Sequence, residues 1–267
     1  MNDRPMTRTE EDRPELLESR RVTVTIPDVP FQVNEAINTL RGNIQLSGFD
    51  LKTIAITSSN EHEGKSLLSF RLAMSFSALG KRTLYMDCDI RNSQTVSRYS
   101  VKKKKGMTEY LCGELELDEA IWKTQEKNLD IIFTGATAPN PSELFSGELF
   151  SRILKSVRAR YDYIIVDTPP VNAVIDGVLI SKMCDGTILV VESAGTIRRE
   201  AMRAKQQLDY AGVKLLGVAL NKVGNRNSRY GYGYGYGYGY GYGYGYGYGY
   251  GYGYGQDGAK KKKKKKK

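Results

Sequence analysis

The residues best suited to reaction chemistry stand in one short stretch, Ser59-Asn60-Glu61-His62-Glu63-Gly64-Lys65-Ser66, with Leu67 behind it. The stretch fits the phosphate-loop pattern G-x-x-x-x-G-K-[ST], with Ser59 at the position of the first glycine. Such a loop works because backbone amides and a helix N-terminus face an anion, a lysine offsets its charge, and a hydroxyl reaches a magnesium ion. Gly64, Lys65 and Ser66 supply the last turn of that cradle. His62 is the single histidine of the chain; multi-histidine metal sites are therefore excluded, and His62 itself is read as a solvent-facing loop residue. Two further boxes carry acidic groups. LYMDCDIR puts Asp87, Asp89 and Arg91 at and beyond the end of an apolar run, and IIVDTPP puts Asp167 at the end of another. A lone aspartate at a strand end commonly does no more than start a turn. Three of them, in one chain with a phosphate loop, point instead to magnesium and a triphosphate.

The elements that must position these groups are written in the hydropathy pattern. Residues 53–57 (TIAIT), 82–87 (RTLYMD), 129–134 (LDIIFT), 163–167 (YIIVD), 186–192 (GTILVVE) and 214–221 (KLLGVALN) read as buried strands. The spacing predicts helices over 31–46, where Val33, Ile37, Leu40 and Ile44 recur, over 65–79 with Gly80 as a left-handed stop, and over 197–210. Ser142, after Pro141, is expected to cap a helix running to residue 160. Residues 106–124 are expected to form short helices, with Trp122 on one of them. Strands alternating with helices predict an α/β fold, a mainly parallel twisted sheet flanked by helices on both faces. Ligands of such sheets bind outside the carboxyl ends of the strands, where the loop, the three aspartates and Asn221 all fall.

Composition sorts the 267 residues into three parts. Residues 1–30, polar and proline-bearing, read as a flexible arm, 31–225 as the folded domain, and 226–267 as a disordered tail. The tail holds a perfect Tyr-Gly alternation with tyrosines at Tyr230, Tyr232, Tyr234, Tyr236, Tyr238, Tyr240, Tyr242, Tyr244, Tyr246, Tyr248, Tyr250, Tyr252 and Tyr254, and it ends in eight lysines. Glycine at every second position makes ordering costly and leaves no core-forming pattern. The formal net charge is +10, but residues 230–267 supply +7 of it, so the body carries only +3. No nucleic-acid partner is expected of so mild a body, although the lysine run could contact anionic lipid. Cys88, Cys112 and Cys184 form no CxxC pair, as expected in a reducing cytosol. No run approaches the roughly 18 apolar residues of a membrane span, and no signal-peptide core opens the chain.

EGKS, LYMDCDIR and IIVDTPP together resemble the Walker A, A-prime and B boxes of the bacterial protein-tyrosine kinases associated with capsule and exopolysaccharide synthesis. Pro139-Asn140-Pro141-Ser142-Glu143-Leu144 is similar to a further signature of that family, as is a tyrosine cluster at the C-terminus. The resemblance, spanning roughly residues 31–223, implies a P-loop kinase using ATP and magnesium. Lys65, Asp87 and Asp89 would be catalytic, Lys65 on the β- and γ-phosphates and Asp87 as base toward a tyrosine hydroxyl. Ser66, Asp89 and Asp167 would hold the metal. Ser59 through Leu67 would contact the nucleotide, and Asn221 the adenine. The tail tyrosines would be the phosphoacceptors. The basic tail is expected to dock in a neighbour's acidic site and so to support self-association. The family also implies self-association through the N-terminal helix, where Glu35, Asn38 and Arg41 occupy an E-x-x-R-x-x-R-like motif, and a separate membrane-anchored adaptor recruiting a cytoplasmic kinase to the inner face of the membrane. The competing readings are a P-loop ATPase that positions septa or partitions DNA, and a nucleotide-dependent scaffold without kinase activity.

Overall fold

The structure, a computed structural model, describes residues 20–25, 27–48, 50–93 and 105–224. The expectations for the Tyr-Gly repeat, the terminal lysines and the first 19 residues of the arm lie outside the described residues.

Eight strands form one sheet in the order β1 (Arg21–Val22), β4 (Ile121–Thr124), β5 (Leu129–Ile132), β3 (Thr83–Asp87), β6 (Tyr163–Asp167), β2 (Thr53–Ser58), β7 (Gly186–Glu192) and β8 (Leu215–Asn221). Only β4 and β5 run antiparallel; the other neighbours are parallel. The helices are α1 (Phe31–Leu46), α2 (Lys65–Ala78), α3 (Met107–Leu111), α4 (Leu117–Ala120), α5 (Pro141–Ser146), α6 (Glu148–Arg160), α7 (Asp176–Lys182) and α8 (Arg198–Tyr210).

The period-2 pattern of the strands decides what lies on each face. On β3, Tyr85 packs with Phe70 and Phe76 of α2 and with Ile54, Ile56 and Ile165. Its neighbours Leu84 and Met86 turn the other way, onto Phe150, Ile153 and Val157 of α6. Each fully buried aromatic or aliphatic side chain of this kind stabilises the fold by about 1.5–3 kcal/mol. A smaller cluster joins Leu189 and Val191 of β7 to Ala204 and Leu208 of α8. With apolar groups needed on both sides, the central strands read as continuous hydrophobic runs.

The central strand β2 lies between β6 and β7, and the chain leaves it through α2 to reach β3 on the far side of β6. The crevice at such a reversal of strand order is where open parallel sheets bind ligands. Asp87 and Asp167 are direct register partners on β3 and β6, so the pairing itself sets the two carboxylates side by side.

Several expectations are corrected. Residues 121–124, read as helical with Trp122, form β4; Trp122 donates its indole N–H to the Lys105 carbonyl at 3.0 Å and lies beneath the Arg20 guanidinium. Ser142 makes no cap bond, and the expected helix is two, α5 and α6, broken at Gly147. Arg21 and Val22, assigned to the arm, pair with Lys123 and Thr124. The helix α7 was not anticipated. Gly80 does end α2 in the left-handed region, at φ 75°.

Candidate functional site

The chain leaves β2 at Ser58, makes the phosphate loop, and enters α2 at Lys65. Gly64 has φ 92°, and a Cβ there would meet Asn221 Nδ2 at 2.1 Å. Glycine is therefore required on both conformational and steric grounds. Asn221, from the end of β8, donates to the Glu63 carbonyl at 2.8 Å, which ties the loop to the sheet edge.

Inside the loop, Ser59 N–H donates to Glu63 Oε2 at 2.8 Å, and both residues are buried. Asn60 donates its side-chain amide to Glu200 of α8 at 2.8 Å. Ser59, Asn60 and Glu63 thus shape the loop without lining the cleft beyond it. That cleft, of about 370 Å³, is lined by Glu61, His62, Gly64, Lys65, Ser66, Leu67, Asp89 and Asn221 among the anticipated residues. His62 is exposed, as expected, and has φ 63°.

Lys65 is the centre of the charge arrangement. Its ammonium lies 2.6 Å from Asp89 Oδ2, 3.9 Å from Asp167 Oδ1 and 3.3 Å from Ser66 Oγ. Burial alone would lower its pKa, but the carboxylates of Asp167, Asp89 and Asp87 outweigh that and raise it, so the group stays charged. Asp167 is fully buried, which pushes its carboxyl above the ordinary range against the pull of Lys65 and the Ser66 hydroxyl. Tyr85 donates to Asp167 Oδ2 at 3.1 Å, while Oδ1 has no hydrogen-bond partner. Asp87 lies one layer behind the cleft wall; its Oδ2 accepts from Ser93 at 2.6 Å and its Oδ1 from the Asp89 amide at 3.2 Å.

A magnesium ion fits this donor set. The orphaned Asp167 oxygen and the Ser66 hydroxyl stand close together, and magnesium is ordinarily held by one or two carboxylates with phosphate oxygens and water. Among the described residues no three His, Cys, Asp or Glu side chains form a metal-holding cluster, which is unsuited to an all-protein metal cage. Arg91, noted in the sequence only as part of its box, also lines the cleft and is fixed by Asp176, its Nε 2.6 Å from Oδ2, with Ser142 bonded to both. Lys222, just after β8, was missed because nothing in the sequence brings that position to the cleft.

A sheet with these groups at its switch point defines a P-loop ATPase. A family model described as an AAA domain matches residues 51–194. Tyrosine-protein kinase CpsD of Streptococcus pneumoniae is 39% identical over 201 residues, covering 75% of this chain and 88% of that protein. The solved kinase domain of the Escherichia coli tyrosine kinase ETK superposes with a TM-score of 0.71 at 28% identity, over 81% of this chain and 93% of that domain. The septum site-determining protein MinD of Pyrococcus horikoshii, solved with Mg-ADP, shares the fold at TM-score 0.57 and 22% identity, over 66% of this chain and 72% of that one. The chain belongs to the bacterial tyrosine-kinase family within these P-loop proteins, and it is a protein-tyrosine kinase.

Proposed function

We propose that this kinase takes Mg-ATP into the cleft at Lys65 and transfers its γ-phosphoryl group to tyrosines 230 to 254 of its own kind, in the service of capsular or exopolysaccharide synthesis. The observation that carries the reading is the convergence of Lys65, Ser66 and Asp167 at the mouth of the phosphate loop. Lys65, now paired with Asp89, would bind the β- and γ-phosphates, and Ser66, Asp89 and Asp167 would hold the metal. Magnesium supplies charge neutralisation of the phosphates when bound. The loop amides and Leu67 border the phosphates, and Asn221 borders the adenine.

A phenol has a pKa near 10 and reaches the site protonated. Asp87 is the base assigned to that proton, which requires Ser93 to leave Oδ2. An unfolded chain of about 25 residues would span on the order of 25–30 Å, and at that reach the tyrosines would meet this cleft or a neighbour's at high effective concentration. Full phosphorylation would add about 20–26 negative charges and reverse the tail's charge, which makes tail-mediated self-association the step that phosphorylation ends. A membrane-anchored adaptor would bring the cytoplasmic kinase to the inner membrane face, with the lysine run as an auxiliary contact to anionic lipid. Against the septum-positioning or partition ATPase stands Asn60, at the place of that group's loop lysine, whose side chain is bonded to Glu200 and off the cleft wall.

Incubation with labelled ATP and phosphotyrosine mass spectrometry tests the proposal. The parent is expected to label the tail, and Lys65→Met to abolish labelling. ATP turnover without phosphotyrosine would refute the tail as substrate.

A further inference from the structure

The phosphate loop carries an anion of its own. Glu63 sits between His62 and Gly64, in the segment that faces a triphosphate, yet its side chain is turned away from the cleft and is 3% exposed. One oxygen accepts the Ser59 amide at 2.8 Å, and the other accepts the Thr196 hydroxyl. Thr196 lies in the connection from β7 to α8, which makes a tight turn: its amide donates to the Glu192 carbonyl at 3.1 Å, and its hydroxyl accepts the Glu192 amide at 2.8 Å. The hydroxyl thus both accepts and donates, with its proton committed to Glu63.

We infer that Thr196 is a positioning residue for nucleotide binding, whose hydroxyl keeps the Glu63 carboxylate out of the phosphate site. Without that donor, one oxygen of a buried carboxylate is left unsatisfied, and the carboxylate is released to compete for the amides of its own loop, one of which, that of Ser59, it already holds. Competition from an internal anion then weakens nucleotide binding while leaving transfer at saturating ATP intact. Asn60, bonded to Glu200 in the first turn of α8, gives the same connection a second hold on the loop.

The inference rests on the nucleotide reading above, and Mg-ADP titration into the full chain tests it without any phosphotransfer. Thr196→Val is expected to weaken Mg-ADP binding about tenfold, the order of a hydrogen bond to a charged group. Thr196→Ser should recover the parent's affinity, and the KM for ATP should rise with kcat held. Because the harm comes from charge, Glu63→Gln added to Thr196→Val should restore affinity to that of Glu63→Gln alone. A thermal melt establishes that each variant is folded, and Thr196→Ala carries the same comparison if the valine variant is not. A Thr196→Val dissociation constant within twofold of the parent's overturns the inference, as does a double variant that binds no better than Thr196→Val. A parent that binds no Mg-ADP overturns the nucleotide reading as well.

Discussion

The two ends of the sheet treat buried charge in opposite ways. At the amino ends of the strands, carboxylates are matched by donors. Asp185 accepts the amides of Lys52 and Thr53, the Thr53 hydroxyl and the Arg158 guanidinium. Asp130 takes Lys123 and Tyr161, each at 2.6 Å, and Asp162 takes Arg82. At the carboxyl ends, Asp87, Asp89 and Asp167 are gathered around the ammonium of Lys65, and one Asp167 oxygen has no hydrogen-bond partner. A protein at rest gains nothing from that surplus of negative charge, since desolvated carboxylates cost free energy unless paired. The balanced end serves stability, and on the proposed function the unbalanced end would be completed by a cation and its nucleotide.

The comparison breaks most readily at Asp87. Asp87→Asn should lower tyrosine phosphorylation by about 10²- to 10⁴-fold, the usual worth of general acid–base catalysis, with Mg-ADP affinity kept. Equal loss of both would make Asp87 a structural member of the site rather than its base.

At the balanced end, Asp185→Ala should destabilise the fold by about 1–3 kcal/mol through the donors it orphans, with nucleotide binding unchanged; urea titration measures the first and Mg-ADP titration the second. Burial raises the Asp185 carboxyl, but the amides of Thr53 and Lys52 and the Arg158 guanidinium outweigh it and hold it below the ordinary range. Its contribution is therefore present above the unfolded carboxylate value, near pH 4, and is lost as pH falls through the lower folded value. The alanine variant should lose that part of the acid dependence.

Asp167 should behave in the opposite sense. Its folded pKa is raised by burial, so its charge costs stability at neutral pH; the cost shrinks as pH falls below the folded value and is gone below the unfolded carboxylate value, near pH 4. Asp167→Asn is expected to raise the melting temperature of the nucleotide-free protein, and a gain of about 1 kcal/mol is worth roughly 2–4 °C in a chain of this size. A lower melting temperature would mean that the unbalanced end is stabilising after all.

The same contrast explains what was legible in the sequence. The central strands announced themselves as apolar runs, and the loop and aspartate boxes as motifs, because local chemistry demands those residues in that order. Residues 121–124 did not, since IWKT follows directly on a helical turn and becomes a strand by pairing with Ile132, Ile131 and Asp130 on one side and with Arg21 and Val22 on the other. Ser142 looked like a helix cap and instead serves Arg91 and Asp176, residues 51 and 34 positions away. The Glu63–Thr196 bond was equally hidden. It joins residues 133 apart, and neither carries a pattern that points to the other.

The central claim is that the carboxyl-end surplus is a seat for a metal-bound nucleotide. Titrating ADP into the parent and into Asp167→Asn, with and without magnesium, addresses it most directly. The account predicts that magnesium tightens binding to the parent and has little effect on the variant, while metal-free ADP binds both alike. Equal magnesium enhancement in the two proteins would contradict it.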